Sequence, residues 1–172
     1  MSGSAPVLET ERLLLRVPAK SDLEGWHSMM VDEDASCFIG GPLDRRGSWA
    51  NMALMTGAWS LDSFGNFSVV EKASGRWIGR AGPWSPPSWP GNEIGWAFAK
   101  EFWGQGFAYE ASRATMDWCL SALGWREVVH IIHPDNLRSI ALAQRLASRF
   151  LQRLDGSELK SPVPLLVFGQ TL

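Results

Sequence analysis

Between residues 93 and 124 a short strand pattern, a glycine-punctuated loop and a long amphipathic helix follow one another, and no other stretch constrains the fold as much. Glu93-Ile94-Gly95-Trp96-Ala97-Phe98 reads as a strand. From Phe107 onward, Phe107, Ala111, Ala114, Trp118 and Ala122 recur at helical spacing while Glu110, Arg113 and Asp117 fall elsewhere on the wheel. This predicts a helix closed by Gly124. Between strand and helix lies Trp103-Gly104-Gln105-Gly106. Residues without a Cβ let the backbone approach a ligand closely, and the helix start adds unpaired N–H groups and a partial positive charge. Such a loop suits a pyrophosphate; the plainer alternative is a tight strand-to-helix turn that binds nothing.

The flanking sequence supplies the rest of a layered domain. Leu13-Leu14-Leu15-Arg16-Val17, stopped by Pro18, reads as a buried strand. Ser21-Asp22-Leu23-Glu24 fits a capping box opening a helix through Met30, and a second helix is expected from Ser48 to Ser60. Phe67–Glu71 and Arg76–Arg80 flank Lys72-Ala73-Ser74-Gly75 as a hairpin. Gly82 to Gly91 reads as a Pro/Trp-rich loop. Glu127–Ile132 is a strand, Pro134-Asp135-Asn136 opens a helix carrying Ile140, Ala143, Leu146 and Ala147, and Leu151–Leu154 and Pro164–Phe168 are closing strands. The succession predicts an α/β (α+β) fold: one domain over residues 1–172, with a mixed sheet flanked by helices.

Composition excludes several classes. The chain has 172 residues, 45% of them hydrophobic, enough for one core of ordinary domain size. With 16 Lys+Arg against 18 Asp+Glu the net charge is −2, which offers no general attraction to nucleic acid. Cys37 and Cys119 form no CxxC pair and read as reduced thiols, so a cytoplasmic location is expected. Met1 to Pro6 lack the pattern of a leader, and no segment approaches the roughly 20 apolar residues of a membrane span. His27, His130 and His133 make no metal-ligand set and are assigned structural roles, so no metal is expected. Ten Trp against one Tyr is unusual; most are expected in the core.

Three phosphate-binding loops compete for residues 103–108. A Walker loop requires Lys-Ser/Thr where Phe107 and Ala108 stand, and a dinucleotide fingerprint requires a small residue where the chain has Tyr109. The third, the acyl-CoA loop Gln/Arg-x-x-Gly-x-Gly/Ala, matches at Gly106 and Ala108. Trp103 departs from its first position but fits a Trp-Gly-x-Gly-Tyr/Phe-Ala variant. Here the chain resembles the GNAT acetyltransferase superfamily, and its ribosomal-protein N-terminal acetyltransferase branch in particular. Glu9-Thr10-Glu11-Arg12-Leu13-Leu14-Leu15-Arg16 is similar to that branch's first strand, Glu93-Ile94-Gly95-Trp96 to its central strand, and Asn136-Leu137-Arg138-Ser139 to its Asn-x-x-Ser helix start.

The resemblance implies the GNAT fold, a mostly antiparallel sheet flanked by helices, and transfer of acetyl from acetyl-CoA to a primary amine in a ternary complex. The acceptor would be a protein N-terminus or a small molecule, and the enzyme a monomer or homodimer. It implies a pyrophosphate on Trp103, Gly104, Gln105, Gly106, Phe107 and Ala108, and a pantetheine arm along the strand through Ala97, Phe98 and Ala99, crossing a splay in the sheet beyond Phe98. It further implies an N–H near Ala97 or Phe98 on the thioester carbonyl, and cofactor contacts from Asn136 and Ser139. Asn136 also reads simply as a helix cap. Glu93 reads either as a solvated strand edge or as the base that takes the acceptor's proton, its pKa raised by burial. The family's proton-donating Tyr is replaced by Ala143, leaving Ser139 or water to serve the leaving thiolate. Trp84 and Trp89, with Trp49 and Trp59, read individually as packing under a loop, and together as the wall of an acceptor slot. Two other classes stay open: an acyl-CoA-binding sensor without catalysis and a nucleotide-dependent oxidoreductase.

Overall fold

The computed structural model describes residues 6–159 and 161–172. Residues 1–5, on which most of the leader reading rests, lie outside the described residues. Eight strands form one sheet: β1 Val7–Glu9, β2 Leu13–Arg16, β3 Phe67–Glu71, β4 Trp77–Trp84, β5 Glu93–Phe98, β6 Glu127–Ile132, β7 Arg149–Leu154 and β8 Leu165–Thr171. Their order is β1-β2-β3-β4-β5-β6-β8-β7. Every neighbouring pair is antiparallel except β5 and β6. Among the described residues five α-helices accompany the sheet: α1 Leu23–Val31, α2 Glu33–Ser36, α3 Arg45–Asp62, α4 Phe107–Trp118 and α5 Leu137–Arg145. The mixed, mostly antiparallel sheet flanked by helices is the expected fold class.

Alternation along the strands sends apolar side chains to both faces. Leu13, Leu15, Phe67, Val69, Ile78, Ala81 and Phe98 pack with Phe107 and Ala111 of α4. Trp26, Met29 and Met30 of α1 meet Met52 and Met55 of α3 over Ala97 on the other face. Burying a side chain of this size stabilises the fold by about 1.5–3 kcal/mol.

Several expectations are corrected. The sequence reading missed β1: Glu9 ends that strand, and Thr10 to Arg12 turn the chain into β2. Ser21 is not a cap. A 3-10 turn over Lys20–Asp22 precedes α1, and the Asp22 carboxylate accepts from Ala19 N–H at 2.9 Å while also binding Arg16 and Ser68. Glu24, the carboxylate that a box opened by Ser21 would use, is instead paired with Arg45 on the surface. α3 begins three residues earlier than expected, because Asp44 accepts from Gly47 N–H at 2.7 Å and caps it there. Gly82, Pro83 and Trp84 are strand, paired with Gly95, Ile94 and Glu93, so the Pro/Trp loop starts only at Ser85. On α4 the buried stripe is Phe107, Ala111, Ser112, Thr115 and Met116, continued by Cys119, while Ala122 is exposed. On α5 and the turn after it Leu142, Ala143 and Leu146 are buried, whereas Ala147 is exposed.

The parallel pair positions the site. β5 and β6, bridged by α4, are in register only at Glu93↔Val129. The next bond of a parallel ladder would join Ile131 N–H to the Ile94 carbonyl. Instead Ile131 N–H donates to Glu93 Oε1 at 3.3 Å, and the Ile94 carbonyl is taken by His130 Nδ1 at 2.7 Å. Two side chains thus replace the ladder, and the strands part immediately after Ile94. The splay therefore opens earlier than the expected position beyond Phe98.

Candidate functional site

The gap leaves main-chain groups on β5 without strand partners. The Asn92 carbonyl accepts from Val129 of β6 and the Ala99 amide donates to Ile78 of β4, so alternation along β5 turns the amides of Trp96 and Phe98 toward the missing side of β6. The Phe98 carbonyl is capped by Trp103 Nε1 at 2.8 Å, whereas its N–H stays free to donate. Ala97 shows its side chain in the crevice, but its own amide faces β4. Ala99 N–H is bonded to the Ile78 carbonyl at 3.0 Å, and Ala99 does not line the crevice.

At the open end of the gap stands the start of α4. Gly104 and Gly106 have φ of +74° and +83°, a conformation that costs other residues about 1–2 kcal/mol. The first intrahelical bond runs from Glu110 N–H to the Gly106 carbonyl at 3.0 Å, so Phe107, Ala108 and Tyr109 N–H have no partner among the described residues. Arg12 braces the loop: it donates to the Gln105 carbonyl at 2.9 Å, pairs with Glu110 at 2.7 Å and lies over the Phe107 ring. Gln105 does not line the crevice: its carbonyl accepts from Arg12 and its side chain donates to the Glu101 carbonyl at 2.9 Å.

Trp96, Phe98, Trp103, Gly104, Gly106, Phe107 and Ala108 thus line one crevice of about 420 Å³ together with Asn136 and Ser139 of the α5 start. That volume lies in the range of small-molecule sites. Two cations missed by the sequence reading, Arg138 over the Trp103 ring and Arg145 over Tyr109, flank it. Their helical spacing alone did not reveal that they straddle the loop. These features fit an extended acyl-CoA: donors for a diphosphate, nearby cations, and a strand edge for an amide-bearing arm.

Glu93 lies in an adjoining pocket rather than the crevice itself. The two cavities meet at Phe38, Ile39, Trp96, Asn136 and Ser139. Glu93 accepts from Trp89 Nε1 at 2.7 Å and from Ile131 N–H. Burial raises its carboxyl from the ordinary value to about 7, against those two hydrogen bonds and the pull of Arg80. At neutral pH it is therefore divided between acid and base. Ser139 stands at the junction: its hydroxyl accepts from Trp96 Nε1 at 3.1 Å, and its N–H donates to Asn136 Oδ1 at 3.1 Å. Asn136 is accordingly the cap of α5 while also lining the crevice.

Of the four tryptophans expected to wall the acceptor slot, only Trp84 and Trp89 line the Glu93 pocket. Trp59 packs edge-on against Phe67 and beside Trp118 in the core, and Trp49 is exposed. Trp49 near the start of α3 and Trp59 near its end both lie away from the pocket, which a linear reading does not register. Ala143 is fully buried and offers no proton. His130, pushed down to about 4 by burial, is neutral at pH 7 and holds the Ile94 carbonyl and Ser148, a structural role. Among the described residues no three His, Cys, Asp or Glu side chains gather as a metal site, and no helix is long and apolar enough to cross a membrane.

Comparison with known proteins is consistent with this geometry. Residues 12–149 match the model of the acetyltransferase (GNAT) domain. The chain is 28% identical over 143 residues to the uncharacterized N-acetyltransferase p20 of Bacillus licheniformis, covering 81% of this chain and 80% of that protein. The crystal structure of an acetyltransferase from Agrobacterium tumefaciens str. C58 superposes with a TM-score of 0.84 at 28% identity, covering 99% of this chain and 96% of that one. The ribosomal L7/L12 alpha-N-protein acetyltransferase RimL, solved in complex with coenzyme A, shares the fold with a TM-score of 0.80 at 15% identity, covering 97% and 98%. With its matched domain spanning most of the sequence and its strand gap meeting a helix start, the chain belongs to the GNAT acetyltransferase family, as an acetyl-CoA-dependent enzyme.

Proposed function

We propose that this protein transfers the acetyl group of acetyl-CoA to a primary amine by direct attack in a ternary complex, with the acceptor entering from the Glu93 pocket. The observation that carries the reading is the junction at Ser139, where the crevice of unpaired amides opens onto a carboxyl whose pKa is near 7. Acetyl-CoA supplies an acyl group activated as a thioester.

The remaining chemistry belongs to the chain. The N–H groups of Phe107, Ala108 and Tyr109, with Arg138 and Arg145 alongside, hold the phosphates. The free amides of Trp96 and Phe98 hold the arm as a strand would, and Phe98 N–H takes the carbonyl-polarising role. An amine with an ordinary pKa of roughly 10.4 arrives protonated, and Glu93 in its ionised form accepts that proton, directly or through water. Ser139, whose hydroxyl oxygen is occupied as acceptor from Trp96, keeps its own proton available for the leaving sulfur. A thiol of ordinary pKa about 8.5 needs little such help, which accommodates Ala143 in place of a tyrosine.

The test is thiol release from acetyl-CoA across a panel of amines, including peptides with free N-termini, with mass measurement of the products. Acetylated product that disappears in Glu93→Gln supports the reading. Tight acetyl-CoA binding without thiol release on any amine favours the sensor class.

A further inference from the structure

One buried cation in the acceptor pocket has no work in the transfer step. Arg80 lies on β4, is 8% exposed and lines the same pocket as Glu93. Among the described residues its only hydrogen bond is to a neutral group: Nη1 donates to Asn66 Oδ1 at 2.6 Å. Asn66 is itself fixed by donating Nδ2 to the Gly82 and Pro83 carbonyls, at 3.3 and 3.2 Å, so its oxygen is held toward the guanidinium. Arg80 Nε is buried without a hydrogen-bond partner among the described residues, and the guanidinium otherwise lies 5.9 Å from the centroid of the Trp26 ring. Guanidinium groups this deep are ordinarily paired with a carboxylate, because an uncompensated buried charge is costly. Glu93 does not fill that place; its oxygens bond Trp89 and Ile131, and it is only partly ionised at neutral pH.

The strand register explains how the two groups share one pocket. Trp84 pairs with Glu93, Gly82 with Gly95 and Arg80 with Ala97, so Arg80 and Glu93 project from the same face of adjacent strands. They stand four residue steps apart, about 13 Å at 3.3 Å per residue, and both side chains are long enough to reach inward. Between them the floor is glycine on both strands. A Cβ placed on Gly95 would meet only Glu93 Oε1, at 3.8 Å, so the space above it is open.

We propose that Arg80 is an acceptor-binding residue that takes a carboxylate, and that the natural acceptor is a small zwitterion, an amino acid whose amine lies at Glu93 and whose carboxylate lies on the Arg80 guanidinium. This rests on the amine-acetylation reading above and narrows its substrate class. A peptide N-terminus would put a neutral amide where the carboxylate belongs. Arg80 stays protonated at neutral pH even though burial lowers it to about 10.

The experiment compares kcat/KM for α- and short ω-amino acids with that of their carboxamides, using acetyl-CoA and the intact protein. The free acids should be preferred by roughly 100-fold, the scale of losing one partner of a buried charge pair. In Arg80→Gln that ratio should collapse toward one, Arg80→Lys should restore part of it, and the acetyl-CoA Kd should hold in both. Carboxamides or peptides used as well as the free acids by the wild-type protein would overturn the proposal while leaving acetyl transfer standing. A second readout does not depend on turnover: calorimetry with N-acetylated amino acids against N-acetylated carboxamides in the presence of coenzyme A. Equal affinity for the two there also overturns it. Absence of thiol release with every amine, together with a carboxylate preference in calorimetry, would sink the transfer reading and keep the anion site.

Discussion

The two halves of the site are built from different materials. On the proposed acyl-CoA side the binding groups are chiefly main-chain, free N–H groups at the start of α4 and an unpaired edge of β5, with Arg138 and Arg145 alongside. On the proposed acceptor side they are side chains from separate elements: Glu93 on β5, Arg80 on β4, Trp89 on a loop and Ser139 on α5. A main-chain site tolerates changes in side chains provided the backbone path survives, so its determinants are conformational. A side-chain site depends on each group and on its protonation state. Substitutions should therefore separate the halves.

The largest effect is expected at Glu93. Glu93→Gln should lower kcat at pH 7 by about 100-fold, in the range of a lost general base, with acetyl-CoA affinity unchanged. Wild-type kcat should rise with pH through about 7 as the carboxyl ionises, and the variant's profile should lack that step. Stability gives an independent reading of the sign. A carboxyl whose folded pKa lies above its unfolded value near 4.5 makes folding less favourable as pH climbs between 4.5 and 7. The Tm of Glu93→Gln relative to wild type should accordingly increase across that interval and then level off. Loss of acetyl-CoA binding in this variant would break the division between the halves.

Gly106→Val tests the main-chain side. It forces a branched residue to φ +83° at the helix start, with its Cβ 3.4 Å from an Arg12 nitrogen. The acetyl-CoA Kd should weaken by at least ~10-fold, stability should fall by about 1–2 kcal/mol, and the acceptor's KM should move little. An unchanged Kd by calorimetry would remove the helix start from the binding surface. Ser139→Ala sits at the junction. A decrease in kcat of roughly 10-fold, and about 1 kcal/mol of stability through the orphaned Trp96 indole, are expected from thiol release and thermal melts. Trp89→Phe should have the mildest consequence. Removing its N–H from Glu93 Oε2 raises the carboxyl further, so the inflection in the kcat profile should shift to higher pH and the rate should recover there. An inflection that stays in place would show that Trp89 does not tune Glu93.

The same contrast explains how far a linear reading reaches. The loop at residues 103–108 was legible because the need for positive φ is written as glycine and the following helix is written as a periodic apolar stripe. β5 and β6 were placed to the residue, since each alternates or runs apolar between clear breakers. The three-residue β1 is too short to show a period, and the capping box at residues 21–24 fails because Glu24 pairs with Arg45 of α3, a partner brought near only by folding. Arg80 gave no signal at all: one arginine in a strand reads as a solvated edge until Asn66 and Glu93 are seen around it.

The amino-acid sequence by itself determined the order of most elements, the glycine turn before α4 and the family, because these depend on local dihedral preference and on periodicity, properties of neighbours along the chain. Tertiary structure alone decided where the sheet splits, through Glu93 and His130 taking bonds that a ladder would have used. It also decided which tryptophans face the acceptor pocket and that a buried guanidinium lies beside Glu93 within it. Desolvation and hydrogen-bond competition act between groups distant in sequence, so they take effect only once the chain has folded.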